Sequence, residues 1–258
     1  MLSRRELFRR ASASAMGVAM AEGARARIWP PPDLEPGAAR SLRELTRALA
    51  RAPRRRDFKA VPMILTDRGN WDSEALDLVL HYRAGPRQVW DNTAIGSPWL
   101  NLMRNAMNTQ IWSFRHPNFL CVSATHGSAH LALYDGFIWD KYRLGALTKG
   151  KAPSNKFVKE TTAAHANPRD YEDTQGVYSP HDNSIPVLQG RGAVFLACHN
   201  EIWELTMKLH KKGINPEHLN HERMAAEFTN HLIPGVILTP GIVGTLPELE
   251  RAGFQYAK

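Results

Sequence analysis

The segment from Gly192 to Asn200, GAVFLACHN, constrains the fold of this chain more than any other. Its apolar run is typical of a buried strand, and it ends at Cys198, His199 and Asn200, after which apolar residues recur at helical spacing. A buried strand that leads directly into a helix is the repeating unit of a parallel α/β sheet. Because ligands of such sheets bind just outside the carboxyl ends of the strands, we expect any chemistry of the chain to centre on Cys198.

Apolar runs and helical patterns alternate through the rest of the C-terminal part. We predict strands near 88–90, 119–124, 193–197, 236–239 and 254–256, and helices near 97–114, 126–142, 200–212, 219–231 and 242–252. This alternation favours one α/β domain over 87–258. Within it, 149–190 is polar and rich in proline, which indicates an insertion that is either a functional lid or a disordered loop.

The N-terminus has the pattern of an export leader. Two adjacent arginines, Arg4 and Arg5, precede Leu7 and Phe8, and the small-residue run 11–20 follows. The pattern resembles a twin-arginine signal, and the apolar run is shorter than the roughly 20 residues of a membrane-spanning helix. We therefore predict a signal peptide over 1–26, no transmembrane span, a periplasmic or otherwise exported protein, and the twin-arginine translocation machinery as a partner. A basic N-terminus without a targeting role is the alternative.

The segment 27–86 is predicted to be a proline-rich linker followed by a helical extension. Three leucines, Leu42, Leu45 and Leu49, recur there at helical spacing. The formal net charge of the chain is +8, but the first 60 residues hold 14 Lys and Arg against 6 Asp and Glu, whereas the rest of the chain holds 19 of each. Since the predicted domain carries no excess positive charge, we do not expect it to bind nucleic acid.

Cys198 is the candidate catalytic residue. A thiol reacts as its thiolate, which the N-terminus of a helix and a protonated His199 both favour. Two acidic residues in the first turn of the predicted helix, Glu201 and Glu204, oppose ionisation. These effects are of similar size, so we expect a modestly activated thiol, with a buried structural cysteine as the alternative. Cys121 lies in the middle of a predicted strand and is interpreted as a core residue.

Polar side chains that follow the predicted strands should shape the pocket around this thiol. The candidates are His126, His199, Asn200, Asp91 and Asn92. Asp91 and Asn92 come just after the first strand, where turn formation is their other interpretation.

A metal site is a weaker hypothesis. His126 and His130 have the i, i+4 spacing that points two imidazoles at one ion when a helix contains them, and His199 could be a third ligand. No other cofactor is predicted.

The order of the C-terminal elements resembles the DsrE/DsrF-like superfamily. The resemblance runs from about residue 88 to the end and rests on the strand ending in Cys198 with the helix after it, LIPGVILTP at 232–240, GTLPELERAGFQY at 244–256, and ATHG at 124–127. It implies a three-layer αβα domain with about five mostly parallel strands. In sulfur-relay members of that superfamily a cysteine in this region carries a persulfide, which implies that role for Cys198.

Three functional hypotheses follow from the sequence. The first is an exported, cysteine-dependent sulfur carrier or transferase that meets a sulfur donor or acceptor, either a protein or a small molecule. The second is a non-enzymatic periplasmic binding or assembly module in which Cys198 is structural. The third is a protein with a histidine-ligated metal. The substrate and the oligomeric state, including a homo-oligomer, stay open.

Overall fold

Five parallel strands form the centre of the fold. A computed structural model describes residues 34–159, 167, 170–181 and 183–258, so the predicted leader lies outside the described residues. The strands are β1 (Arg87–Asn92), β2 (Leu120–Thr125), β3 (Val194–Cys198), β4 (Ile237–Thr239) and β5 (Gln255–Ala257). They lie in the order β4-β3-β2-β1-β5, and each neighbouring pair is parallel. The predicted α/β class and the predicted strand number are confirmed.

Helices cover both faces of this sheet. They are α1 (Arg40–Arg51), α2 (Ser73–Leu80), α3 (Trp99–Asn108), α4 (Gly136–Lys141), α5 (Ile185–Gly190), α6 (His199–Lys211), α7 (His221–Asn230) and α8 (Ile242–Arg251). A π-helical turn, Thr109–Ser113, extends α3, and a 3₁₀ helix, Gly127–Leu133, follows β2. None of the described helices is both long enough and apolar enough to cross a membrane.

Side-chain alternation along the strands divides the apolar residues into two cores. Leu120, Val122 and Ala124 of β2 face one core, whereas Cys121 between them faces the other. Cys198, at the end of β3, belongs to the same core as Leu120. Both cysteines are free, and they lie on opposite faces of the sheet because successive residues of a strand point to opposite sides.

The helices divide between these cores and complete three layers. The core that contains Cys198 is covered by α1, α2 and α8, and the core that contains Cys121 is covered by α3, α4, α6 and α7. The apolar face of α1 is buried as its periodicity predicted, with Leu42, Leu45 and Leu49 in the core. The helical segment before the first strand therefore supplies part of one side layer.

Asp72 ties the N-terminal segment to β4. Its backbone N–H donates to Leu238 O (3.1 Å), and its carboxylate accepts the Leu238 N–H (2.6 Å). Arg56 forms an ion pair with this carboxylate at 2.8 Å, and the Nε of Arg54 lies 3.9 Å from it. Two arginines of the basic cluster thus neutralise a buried acid, which accounts for part of the positive charge near the N-terminus.

Three local predictions differ from the structure. The helix predicted near 97–114 begins at Trp99, because Pro98 occupies the cap position and the Ser97 hydroxyl donates to Ala94 O. Phe114, at the end of that predicted helix, is 59 % exposed because it follows the end of the π-helical turn. The helix predicted over 126–142 is a 3₁₀ helix followed by the separate α4, whose N-cap is the Asp135 side chain (3.1 Å to Ile138 N).

The described parts of the predicted insertion pack on the domain. The ring of Tyr171 stacks on that of Trp112 with centroids 4.8 Å apart. The Asn155 amide donates to Ala132 O (3.0 Å) and Tyr134 O (2.8 Å), which are backbone acceptors next to the 3₁₀ helix. The described parts of the insertion therefore pack against the π-helical turn after α3 and against the 3₁₀ helix.

No side chain fits at Gly127, the second residue after β2. Its φ is +54°, and a Cβ there would lie 2.6 Å from Thr93 O. We expect Gly127→Ala to lower the free energy of unfolding by roughly 1–3 kcal/mol, through strain and the displaced backbone. In contrast, a Cβ at Gly136 meets nothing within 4 Å, so Gly136→Ala should change stability by less than about 1 kcal/mol. Urea unfolding of both variants tests this, and equal losses would contradict it.

Candidate functional site

The sulfur of Cys198 joins the N-termini of two helices. Cys198 is the N-cap of α6, and its Sγ accepts the Glu201 N–H at 3.4 Å. From the other side, Sγ accepts the N–H of Ile242, the first residue of α8, at 3.3 Å. The residue is only 4 % exposed, so the sulfur satisfies backbone donors inside the protein.

Burial decides the ionisation of this thiol. Desolvation raises the pKa of Cys198, and the nearby Glu201 carboxylate raises it further. The backbone N–H groups of Ile242 and Glu201 lower the pKa, but their effect is smaller than that of burial. The raised pKa differs from the modestly activated thiol that we expected. The reason is that β3 brings Cys198 to the edge of the sheet but also buries its sulfur.

His130 supports the backbone of Cys198. Its Nε2 accepts the Cys198 N–H at 3.0 Å, which requires the ring proton to be on Nδ1. The ring is completely buried, edge-on to Tyr134 with centroids 5.2 Å apart. Burial lowers the pKa of His130 to about 3, and the charge of His126 contributes in the same direction. His130 is consequently a neutral acceptor within the fold.

Asp91 and His126 form a polar pair at the carboxyl edge of the sheet. His126 Nε2 lies 2.7 Å from Asp91 Oδ1, and the Tyr256 hydroxyl donates to Asp91 Oδ2 at 2.8 Å. Lys258 Nζ lies 3.9 Å from the same carboxylate. The hydrogen bond to Asp91 raises the pKa of Tyr256. The two candidate residues Asp91 and His126 therefore lie together, and Tyr256 of β5 and the terminal Lys258 approach the same carboxylate.

Glu201, expected only to oppose ionisation of Cys198, is also a polar residue of this edge. Its carboxylate accepts the Gly127 N–H at 3.0 Å, linking the first turn of α6 to the turn after β2. Burial raises the pKa of Glu201, and the charge of Lys208 and the hydrogen bond from the Gly127 N–H lower it by less. The sequence feature that could have predicted this link is an acidic residue in the first turn of a helix that directly follows a strand.

The other candidates do not converge on the thiol. Asn92 is buried and donates to Ser123 Oγ (2.8 Å) and Met103 Sδ (3.5 Å), so it belongs to the core. His199 is also buried, and its Nε2 lies 2.8 Å from Pro62 O. Burial lowers the pKa of His199. Asn200 is exposed on α6.

The three candidate metal ligands have separate partners. His126 contacts Asp91, His130 contacts the Cys198 backbone, and His199 contacts the loop before α2. Over the described ranges, no group of three or more His, Cys, Asp or Glu side chains is arranged to hold a metal ion.

A cavity of about 520 Å³ lies beside the first turn of α3. One wall is the chain from Ser97 to Asn101, which follows the carboxyl end of β1. The facing wall comes from the predicted insertion, and its described residues are Lys156, Phe157, Lys159, Pro180, His181, Asn183 and Ser184. None of the predicted site residues lines it. The composition of the insertion predicted a lid candidate but not its contact with α3.

Comparison with protein-family models, with curated proteins and with solved structures gives no match for this chain.

The buried histidines should make stability depend on pH. Because the folded-state pKa of His130 is about 3 and its ordinary value is 6.5, only the unfolded state gains this proton between those values. The free energy of unfolding should therefore fall as the pH drops below about 6.5, by up to about 1.4 kcal/mol per pH unit for each such histidine. His199 acts in the same direction.

Urea unfolding between about pH 4 and 7.5 measures this slope. His130→Gln keeps a side-chain acceptor and removes the titration, so we expect a flatter slope. The matched control is His210→Gln, at an exposed position of α6, which should leave the slope nearly unchanged. A slope equal in wild type and His130→Gln would show that His130 is not the source.

Proposed function

We propose that this protein is a small-molecule-binding module whose ligand occupies the cavity beside α3, and that Cys198 is structural. The observation that carries the proposal is the cavity itself, about 520 Å³ between the first turn of α3 and the insertion. Ligand pockets of proteins have volumes of roughly 300–1,000 Å³. The position also agrees with the general rule that α/β sheets bind ligands beyond the carboxyl ends of their strands.

The walls of the cavity combine apolar and polar groups. Trp99 and Phe157 come from segments far apart in the chain, and their ring centroids lie 6.2 Å apart. Polar groups of Asn101, Asn183 and the lysines surround this apolar part. A few polar groups around an apolar wall are what a specific small-molecule site requires.

The structural role of Cys198 follows from its contacts. The thiol is almost completely buried, it caps α6, and it accepts a hydrogen bond from the first residue of α8. Loss of the sulfur would leave two backbone N–H groups without their acceptor. These contacts support a fixed, neutral thiol.

A sulfane-sulfur carrier at Cys198 is the second candidate. It is favoured by the two N–H groups that point at Sγ, because such donors stabilise a thiolate or a terminal persulfide anion. The sulfur would have to become accessible for this activity. The resemblance to the DsrE/DsrF-like superfamily supports this candidate.

Thiol chemistry separates the two candidates. We expect native protein to react with iodoacetamide at least about 100-fold more slowly than unfolded protein, because both cysteines are buried. We also expect no mass gain after incubation with thiosulfate or polysulfide. A reducible gain of one sulfur atom that persists in Cys121→Ala and is absent in Cys198→Ala would instead establish the carrier. Intact mass measures each outcome.

Blocking the cavity tests the binding proposal directly. In ¹⁵N–¹H spectra, a library of anionic, neutral and cationic fragments should include members that shift the signals of Trp99 and Phe157 saturably. Asn101→Trp, at the cavity wall, should abolish these shifts. Asn105→Trp lies one turn further along α3, outside the cavity, and should retain them. The proposal fails if no fragment of any charge shifts these signals, or if both variants behave alike.

Export through the twin-arginine pathway belongs to the same proposal. The support is the sequence of the first 26 residues, which resembles a twin-arginine signal, and the binding module is on this proposal periplasmic or otherwise exported. The translocation machinery is then the partner of the leader, whereas a homo-oligomer stays open for the domain.

A further inference from the structure

Three segments of the chain meet at Asn118, just before β2. Its Oδ1 accepts the N–H groups of Ser41 (3.1 Å) and Leu42 (3.2 Å) in the first turn of α1. Its backbone carbonyl accepts the hydroxyl of Tyr82, which follows α2, at 2.8 Å. The start of α1, the end of α2 and the loop 114–118 are therefore held together at the amino edge of the sheet, where the parallel strands begin.

Each of these segments carries an exposed arginine. Arg40 is the first residue of α1, Arg83 follows α2, and Arg115 belongs to the loop before β2. None of the three forms an ion pair with a described residue. Burial lowers the pKa of Arg87, and the charge of Arg83 lowers it further, so a fourth cation lies close to this group. The amino edge thus gathers positive charge from separate parts of the sequence.

The acidic side chains near Asn118 do not cancel this charge. Glu35 is buried, and its carboxylate already pairs with Arg43 at 3.3 Å. Glu44 is exposed one turn along α1 from Arg40 and offsets one of the three arginines. The described residues around Asn118 therefore keep a net positive charge.

An exposed aromatic ring lies beside these cations. Phe114 is 59 % exposed and directly precedes Arg115, whose φ of +59° is uncommon for a residue other than glycine. The His116 N–H closes this turn by donating to Gln110 O at 2.9 Å. An apolar ring and a guanidinium are consequently neighbours on the surface of the amino edge.

The N-terminal part of the chain joins the domain at the same edge. Leu34, the first described residue, is buried, and its N–H donates at 2.9 Å to Gly190 O, shortly before β3 begins. Residues 1–33, which include the proposed export leader, therefore connect to the edge that carries the three arginines. Because an export leader acts at a membrane, this edge is the side of the domain joined to the membrane during export.

We propose that the amino edge of this domain docks on the surface of an anionic phospholipid bilayer. Arg40, Arg83 and Arg115 meet the phosphates of the headgroups, and each cation near such a surface strengthens binding about fivefold. The Phe114 ring enters the boundary between headgroups and acyl chains, which favours aromatic side chains. This surface shares no residue with the cavity beside α3, so the docking goes beyond the proposed binding function.

An environment-sensitive fluorophore shows which edge docks. Ser113→Cys, beside Phe114, and Asn200→Cys, at the carboxyl edge, each add one exposed thiol, whereas both natural cysteines are buried. With the full-length protein and vesicles that contain phosphatidylglycerol, we expect the label at 113 to brighten and shift to shorter wavelength. The label at 200 should stay unchanged, and vesicles of phosphatidylcholine alone should change neither label.

Charge-removal variants test the role of the arginines. Arg40→Gln, Arg83→Gln and Arg115→Gln together should raise the phosphatidylglycerol concentration for half-maximal change at 113 by at least about tenfold. A matched control removes three exposed lysines near the start of α3 and should leave this concentration within about twofold: Lys151→Gln, Lys156→Gln and Lys159→Gln. Because every variant carries the same leader, the leader cannot produce the difference. Urea unfolding verifies that both triple variants are folded.

Several results would overturn the docking proposal. They are no change at 113, an equal response of the two labels, an equal response to the two kinds of vesicle, and equal effects of the two triple variants. A label at 113 that responds to a single-stranded oligonucleotide but not to phosphatidylglycerol would also overturn it and assign the edge to a different polyanion. None of these results bears on ligand binding in the cavity, which the fragment library tests separately.

Discussion

The requirement that a parallel sheet be covered on both faces governs this structure. Its strands are buried on two sides, so alternate residues enter different cores. The chain meets this requirement by placing α1 and α2 before the first strand and α8 after the fourth on one face, and the remaining large helices on the other. One consequence is the separation of the two cysteines. Cys121 and Cys198 point to opposite faces of the sheet and therefore serve different cores.

Burial also determines what the end of β3 can do. The same apolar strand that brings Cys198 to the carboxyl edge removes its sulfur from water, and desolvation opposes ionisation more strongly than the backbone N–H groups favour it. The sulfur instead accepts the N–H groups of Glu201 and Ile242, and His130 accepts the Cys198 N–H. The Glu201 carboxylate links α6 to the turn after β2.

The sequence predicted the elements with strong periodicity and missed those set by long-range contacts. The five strands and the helices α1, α6, α7 and α8 follow from local patterns. The three leucines whose spacing predicted α1 are buried in the structure. The i, i+4 spacing of His126 and His130 assumes an α-helix, whereas a 3₁₀ helix follows β2 and the two imidazoles have different partners, so the metal site stays a hypothesis. The cavity could not be predicted, since it depends on Phe157 reaching Trp99 across more than 50 residues of sequence. Asp91 and His126 lie together, as the sequence suggested, because Asp91 is the second-last residue of β1, His126 follows β2, and neighbouring parallel strands end together.

The contacts of Asp72 have a consequence for association between molecules. Because β4 is the last strand of the sheet on its side, its backbone would otherwise offer unpaired groups to a strand of another chain. Asp72 occupies both the N–H and the carbonyl of Leu238, and Arg56 takes the carbonyl of Val236. The sheet is therefore closed to strand addition on this side, and any assembly that extends it must proceed through the three-residue β5 on the other.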